Sequence, residues 1–115
     1  MRAKLISFQS NDVSNWGTWQ PEDPANVTHW FSVEIGDEDS AGSERFQVLV
    51  ATRQAIRERP NKHEPFKGLC LEPFDPGAVE RLLREHVSRI CGERWHDIVE
   101  QLRKTMSWEY EGMAP

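Results

Sequence analysis

Four histidines, two cysteines and several adjacent carboxylates are the residues of this 115-residue chain that could do chemistry. His29, His63, His86 and His96 could each serve as a general base or a metal ligand. No two of them have the spacing that places a zinc-binding pair on one helix face. His86 falls between Leu83 and Val87 on an apolar stripe, the position of a histidine packed against a core. His96 faces away from the stripe of its own segment and is expected in solvent. His29 is read as lying opposite Phe31 in the strand phase, unless the strand starts later. His63 is near Glu64 and Cys70, but nothing in the sequence positions a Cys–His pair there. Cys70 and Cys91 are too few for a disulfide framework or a structural zinc site. With Leu69 and Leu71, and Ile90 and Gly92, beside them, they are read as buried thiols, a disulfide or a reactive role being the alternative.

The carboxylates come in runs, Glu22-Asp23 and Asp37-Glu38-Asp39. Acid–base catalysis would need such groups buried with separated pKa values, whereas acids among small polar residues are usually solvated. Placing Asp37 and Asp39 at positions 1 and 3 of a calcium loop puts Val48 where a bidentate glutamate is required, so that site fails. The chain has no G-x-S-x-G, G-x-x-x-x-G-K-[ST], G-x-G-x-x-G or H-E-x-x-H motif. Arg53, Arg57 and Arg59, interleaved with Glu58, read as a helix surface and not a phosphate site. Asn26-Val27-Thr28 matches a glycosylation acceptor, which means little without an export signal. No catalytic residue, metal or cofactor site emerges. What remains is a binding surface: Trp16, Trp19, Glu22, Asp23, Asp37, Glu38 and Asp39 combine aromatic contact area with carboxylates that steer a cationic protein partner. For the two tryptophans the alternative is loop pinning.

Charge supports the same class. Residues 1–50 carry eight acids and three bases, while residues 51–115 carry eleven of each. An acidic front half argues against nucleic acid as the direct partner, since phosphate binding needs a basic stripe. No apolar run approaches the roughly 20 residues that cross a bilayer, and the first residues lack a long apolar segment with a cleavage site. The expectation is a single cytoplasmic domain over residues 1–115, a size typical of one compact core.

The elements that must hold these residues follow from periodicity. Phe31, Val33 and Ile35 alternate with Ser32 and Glu34, and Phe46, Val48 and Val50 repeat the pattern. Period two predicts two half-buried strands joined as a hairpin through the small, polar segment 36–43. Residues 3–9 and 66–71 are further strand candidates. Segment 10–27, with Pro21 and Pro24, reads as an ordered loop pinned by indoles, and 51–59 as a short helix ending before Pro60. Val79, Leu82, Leu83, Val87 and Ile90 then follow helical spacing, with Asp75 as cap, Pro76 in the first turn, Phe74 stapling onto Val79 and Gly92 as terminator. Trp95, Ile98, Val99, Leu102 and Met106 predict a second helix from about Glu93, followed by an extended tail over Trp108–Tyr110. Strands first and helices afterwards predict an α+β fold, a mainly antiparallel sheet with two C-terminal helices packed on one face.

Several separated pieces resemble one family. Trp19-Gln20-Pro21-Glu22-Asp23-Pro24 after a first strand, Val33-Glu34-Ile35-Gly36, and Glu44-Arg45-Phe46-Gln47-Val48-Leu49-Val50-Ala51-Thr52 are similar to immunity protein 8 of bacterial polymorphic toxin systems. So are Ile90-Cys91-Gly92-Glu93-Arg94-Trp95 and the closing Ser107-Trp108-Glu109-Tyr110-Glu111. The pieces span nearly the whole chain in order. Ala51-Thr52-Arg53 departs from the Cys-Thr-Pro-like segment expected there, and residues 53–74 carry no part of the likeness. The resemblance implies an α+β protein that binds the C-terminal domain of a cognate toxin and neutralises it in the producing cell by occlusion, without catalytic residues. A nuclease toxin, with a basic substrate groove, would suit the carboxylates. Two other classes stay open: a protein-binding or self-assembling domain, which would show a concentration-dependent mass, and a small enzyme, which would need a deep pocket with convergent titratable groups.

Overall fold

The computed structural model describes residues 1–110; Glu111, the last residue of the closing motif, lies outside them. Three long strands form the scaffold: β1 (Ala3–Ser10), β2 (Thr28–Asp37) and β3 (Ser43–Ala51). They pair antiparallel in the order β1-β2-β3. After β3 come α1 (Arg53–Glu58), the two-residue β4 (Leu69–Cys70), a 3-10 turn over Pro76–Ala78, α2 (Val79–Ser88), α3 (Trp95–Leu102) and β5 (Ser107–Trp108). β4 runs parallel to β3 at Val50–Ala51, and β5 runs antiparallel to it at Phe46–Gln47. The fold is α+β with a mostly antiparallel sheet, as the switch of period from two to helical requires.

The β2–β3 hairpin obeys its alternation. Phe31 faces Val48 and Val33 faces Phe46, all four essentially inaccessible, while Ser32 pairs with Gln47 and Glu34 with Arg45 on the other face. The connecting loop is tight: Gly42 has φ +104°, a left-handed value that favours glycine. Thr52 ends β3 and opens α1, its hydroxyl accepting from the amides of Ala55 and Val27.

Both C-terminal helices lie on the apolar face. Val79, Leu83 and Val87 of α2 and Ile98, Val99 and Leu102 of α3 join Leu5, Phe31, Val33, Ile35, Phe46, Val48 and Val50 in one core. Asp75 caps as expected, its carboxylate accepting from Gly77 N–H at 3.0 Å. Phe74 is itself a core residue. Its amide donates to the Pro24 carbonyl at 2.8 Å, which ties the 10–27 loop to the start of the helical half.

Four expectations need correction. Helix α2 ends at Ser88 and not at Gly92. Gly92 answers a different demand, since a Cβ there would lie 2.7 Å from the Asp97 Cβ. The 66–71 strand shortens to Leu69–Cys70. Cys70 and Cys91 are exposed and free. The reason is the alternation itself: in extended chain a buried neighbour at i±1 sends residue i outward, so the half-buried Leu69 and Leu71 expose Cys70, and the buried Ile90 exposes Cys91. Finally, His29 lies not opposite Phe31 but on the same face, as residues two apart in a strand must; its ring sits 4.9 Å from that of Phe31 and only 5% of it is exposed.

Candidate functional site

The four histidines divide into two exposed and two shielded residues. His63 and His96 are exposed. His86 is half-buried against the core, and its Nε2 lies 2.9 Å from the Thr105 hydroxyl. Burial pushes its pKa below the ordinary value of 6.5, with Arg89 adding in the same direction. His29 is buried, its Nε2 2.6 Å from Ser10 Oγ, and desolvation lowers its pKa against a smaller opposing pull from Asp12. Among the described residues no three His, Cys, Asp or Glu side chains gather as metal ligands.

The carboxylates stay in solvent, and β2 divides them into two groups. At the hairpin tip, Asp37 accepts from Ser40 Oγ at 3.1 Å, Glu38 lies 3.9 Å from the largely exposed Arg2, and Asp39 is exposed. A surface pair such as Arg2–Glu38 contributes little energy, so Glu38 remains available to a partner. Beneath the tip is a cavity of about 170 Å³, walled by Met1, Trp95 and the loop from Ser40 to Glu44, with Asp37 at its rim. Trp95, expected on the α3 stripe, is half-buried and offers the cavity part of its indole.

Glu22 and Asp23 sit at the other end. Asp23 accepts from the Ala25 amide at 3.0 Å, and both acids line an open groove with Trp19, Pro21, Asn26, Thr28 and His29. Trp16 and Trp19 stack on each other with ring centroids 5.4 Å apart, and both are half-buried. Trp16 meets Phe31 edge-on at 5.1 Å and Trp19 meets Phe74 edge-on at 6.2 Å. They therefore pin the 10–27 loop to the core while staying partly exposed. The ten residues of β2 rise about 3.3 Å each, so the two acidic groups stand about 30 Å apart and form two patches.

A third surface is polar without being acidic. The sheet face away from α2 and α3 carries a ring of polar side chains. Asn11 Nδ2 donates to Gln47 Oε1, Gln47 Nε2 donates to Ser32 Oγ, and the Ser32 hydroxyl donates to Asn11 Oδ1, at 2.7 to 2.8 Å. Trp30 stands on the same face and is 42% exposed. Its position is readable in the sequence, because period two groups Trp30 with Ser32 and Glu34 and separates it from Phe31 and Val33.

No helix among the described residues is long and apolar enough to cross a membrane. In comparisons with known proteins, neither a curated protein nor a solved structure matches the chain. A family model does: the one described as Immunity protein 8 matches residues 3–113, nearly the full length. On that match the chain belongs to the Immunity protein 8 family.

Proposed function

We propose that this protein neutralises the effector domain of a cognate toxin by binding and covering it, without chemistry of its own, in the cytoplasm of the cell that makes the toxin. Membership of an immunity family across nearly the whole chain is the observation that carries this reading. The hairpin tip is the primary contact. Glu38 and Asp39 are exposed in the turn that follows Asp37, which lines a cavity with an aromatic wall, and such a surface suits basic side chains. The target that fits is a domain whose own substrate is anionic, such as a nuclease, because its basic groove would meet the tip directly. Trp16, Trp19, Glu22 and Asp23 form a secondary contact at the far end of β2.

The test is rescue. Cells expressing the toxin domain encoded beside this protein would carry either the wild-type chain or the triple variant Asp37→Asn, Glu38→Lys, Asp39→Lys. Asparagine at 37 keeps the acceptor for Ser40. Protection by the wild type and its loss in the folded triple variant are expected. Full protection by the variant would remove the tip as the contact. Failure of the wild type to protect would remove the function itself.

A further inference from the structure

The hydroxyl of Ser10, at the end of β1, is fully committed. It accepts from the amide of Val13 at 2.9 Å and from that of Asp12 at 3.2 Å, and it lies 2.6 Å from Nε2 of His29 at the start of β2. A hydroxyl has two lone pairs and one proton. With both lone pairs engaged by the loop amides, the proton must go to Nε2. That nitrogen is therefore an unprotonated acceptor, and His29 is a neutral imidazole carrying its hydrogen on Nδ1.

The surroundings make this bond a clasp. Ser10 and His29 are 6% and 5% exposed. The imidazole is packed by Trp16 at 5.3 Å, Trp19 at 5.2 Å, Phe31 at 4.9 Å and Phe74 at 6.1 Å, and it stands opposite Val50 in the β2–β3 register. One ring thus supports both tryptophans that hold the 10–27 loop. Among the described residues the charged group that acts on the ring is Asp12, from the loop after β1, while Glu22 and Asp23 line the groove it shares. β3 and the Phe74 segment present Val50 and Phe74, neither of which ionises.

We infer that the Ser10–His29 pair is an acid-operated release for the 10–27 loop. When Nε2 gains a proton it becomes a donor, and two donors then face each other across 2.6 Å. Ser10 must turn its hydroxyl and give up one of the two loop amides. A charged ring also replaces a neutral one beneath the Trp16–Trp19 stack. The loop loosens at the Asp12–Val13 turn that the Ser10 hydroxyl holds. Burial outweighs the Asp12 carboxylate, so the clasp holds at neutral pH and releases below the ordinary histidine range. This inference concerns the loop itself and is independent of where a toxin docks.

The experiment is a pH titration of the full-length 15N-labelled protein by NMR, reading the ring nitrogens of His29 and the indole N–H signals. At pH 7.5 the long-range 1H–15N pattern should show a protonated Nδ1 and a bare Nε2. On acidification Trp16 and Trp19 should shift with the same midpoint as His29, below 6.5, while Trp108 does not follow it. A protonated Nε2 at neutral pH would overturn the inference. So would titration of His29 with Trp16 and Trp19 unmoved. In His29→Gln, whose amide oxygen can accept from Ser10 but takes no proton, the shared transition should disappear; its persistence in that variant would also overturn the inference.

Discussion

Trp16 and Trp19 lie face to face, their rings 5.4 Å apart and 18° from parallel, and each rests its inner edge on a different core phenylalanine. The pair converts a loop with two prolines into part of the core wall. Trp16→Ala is accordingly expected to cost about 2–4 kcal/mol of stability, somewhat less than a fully buried aromatic would. Urea unfolding followed by circular dichroism measures it. A loss below about 0.5 kcal/mol would mean that the loop does not depend on the stack.

The hairpin tip should act on encounter rate more than on stability. In the triple variant Asp37→Asn, Glu38→Lys, Asp39→Lys, association with the toxin domain should slow at least tenfold at low salt, and its salt dependence should flatten. Unfolding free energy should stay within about 0.5 kcal/mol of the wild type, as for other exposed substitutions. Stopped-flow binding at several ionic strengths reads both effects. The double variant Glu22→Lys, Asp23→Lys, about 30 Å away, should slow association less.

Acid should weaken the fold through its two shielded histidines. Both His29 and His86 have folded pKa values lowered from 6.5, first by desolvation. Below 6.5 the unfolded chain therefore binds protons that the folded chain refuses, and the equilibrium moves toward unfolding. Well above 6.5 neither state is charged at these sites and their contribution is flat. Urea midpoints measured from pH 8 to pH 5 should hold steady and then decline from about 6.5 downward. Replacing both residues with glutamine should reduce that decline.

The cysteines should behave as surface groups. Both Cys70 and Cys91 are exposed, so a thiol reagent should titrate two equivalents in the native protein without denaturant. Cys70→Ser and Cys91→Ser should each change stability by less than about 0.5 kcal/mol.

The sequence is legible where periodicity runs long. Phe31 to Ile35 and Phe46 to Val50 declare a hairpin, and Val79, Leu83 and Val87 declare a helix, because each pattern repeats often enough to exclude the other period. β4 and β5 hold two residues each, and their pairing is decided by β3 and not by local pattern. Cys70 follows the strand period: with half-buried Leu69 and Leu71 on either side, its own side chain turns outward. The exposed acids were visible as solvated runs, but their separation into two ends needed the length of β2. The Ser10–His29 bond joins residues 19 apart, and only the β1–β2 pairing brings them together.

The far edge of β3 is shared by two short strands from distant parts of the chain, Leu69–Cys70 beside Val50–Ala51 and Ser107–Trp108 beside Phe46–Gln47. An open edge of a sheet recruits other polypeptides into aggregates, and these four residues act as stoppers against that. The last of them is fixed by its indole: Trp108 Nε1 donates to Glu44, and the Arg103 guanidinium stands over its ring at 5.9 Å. Loosening Trp108 should therefore uncover Phe46 and Gln47 on that edge and leave a folded chain that associates with itself more readily, as light scattering would show.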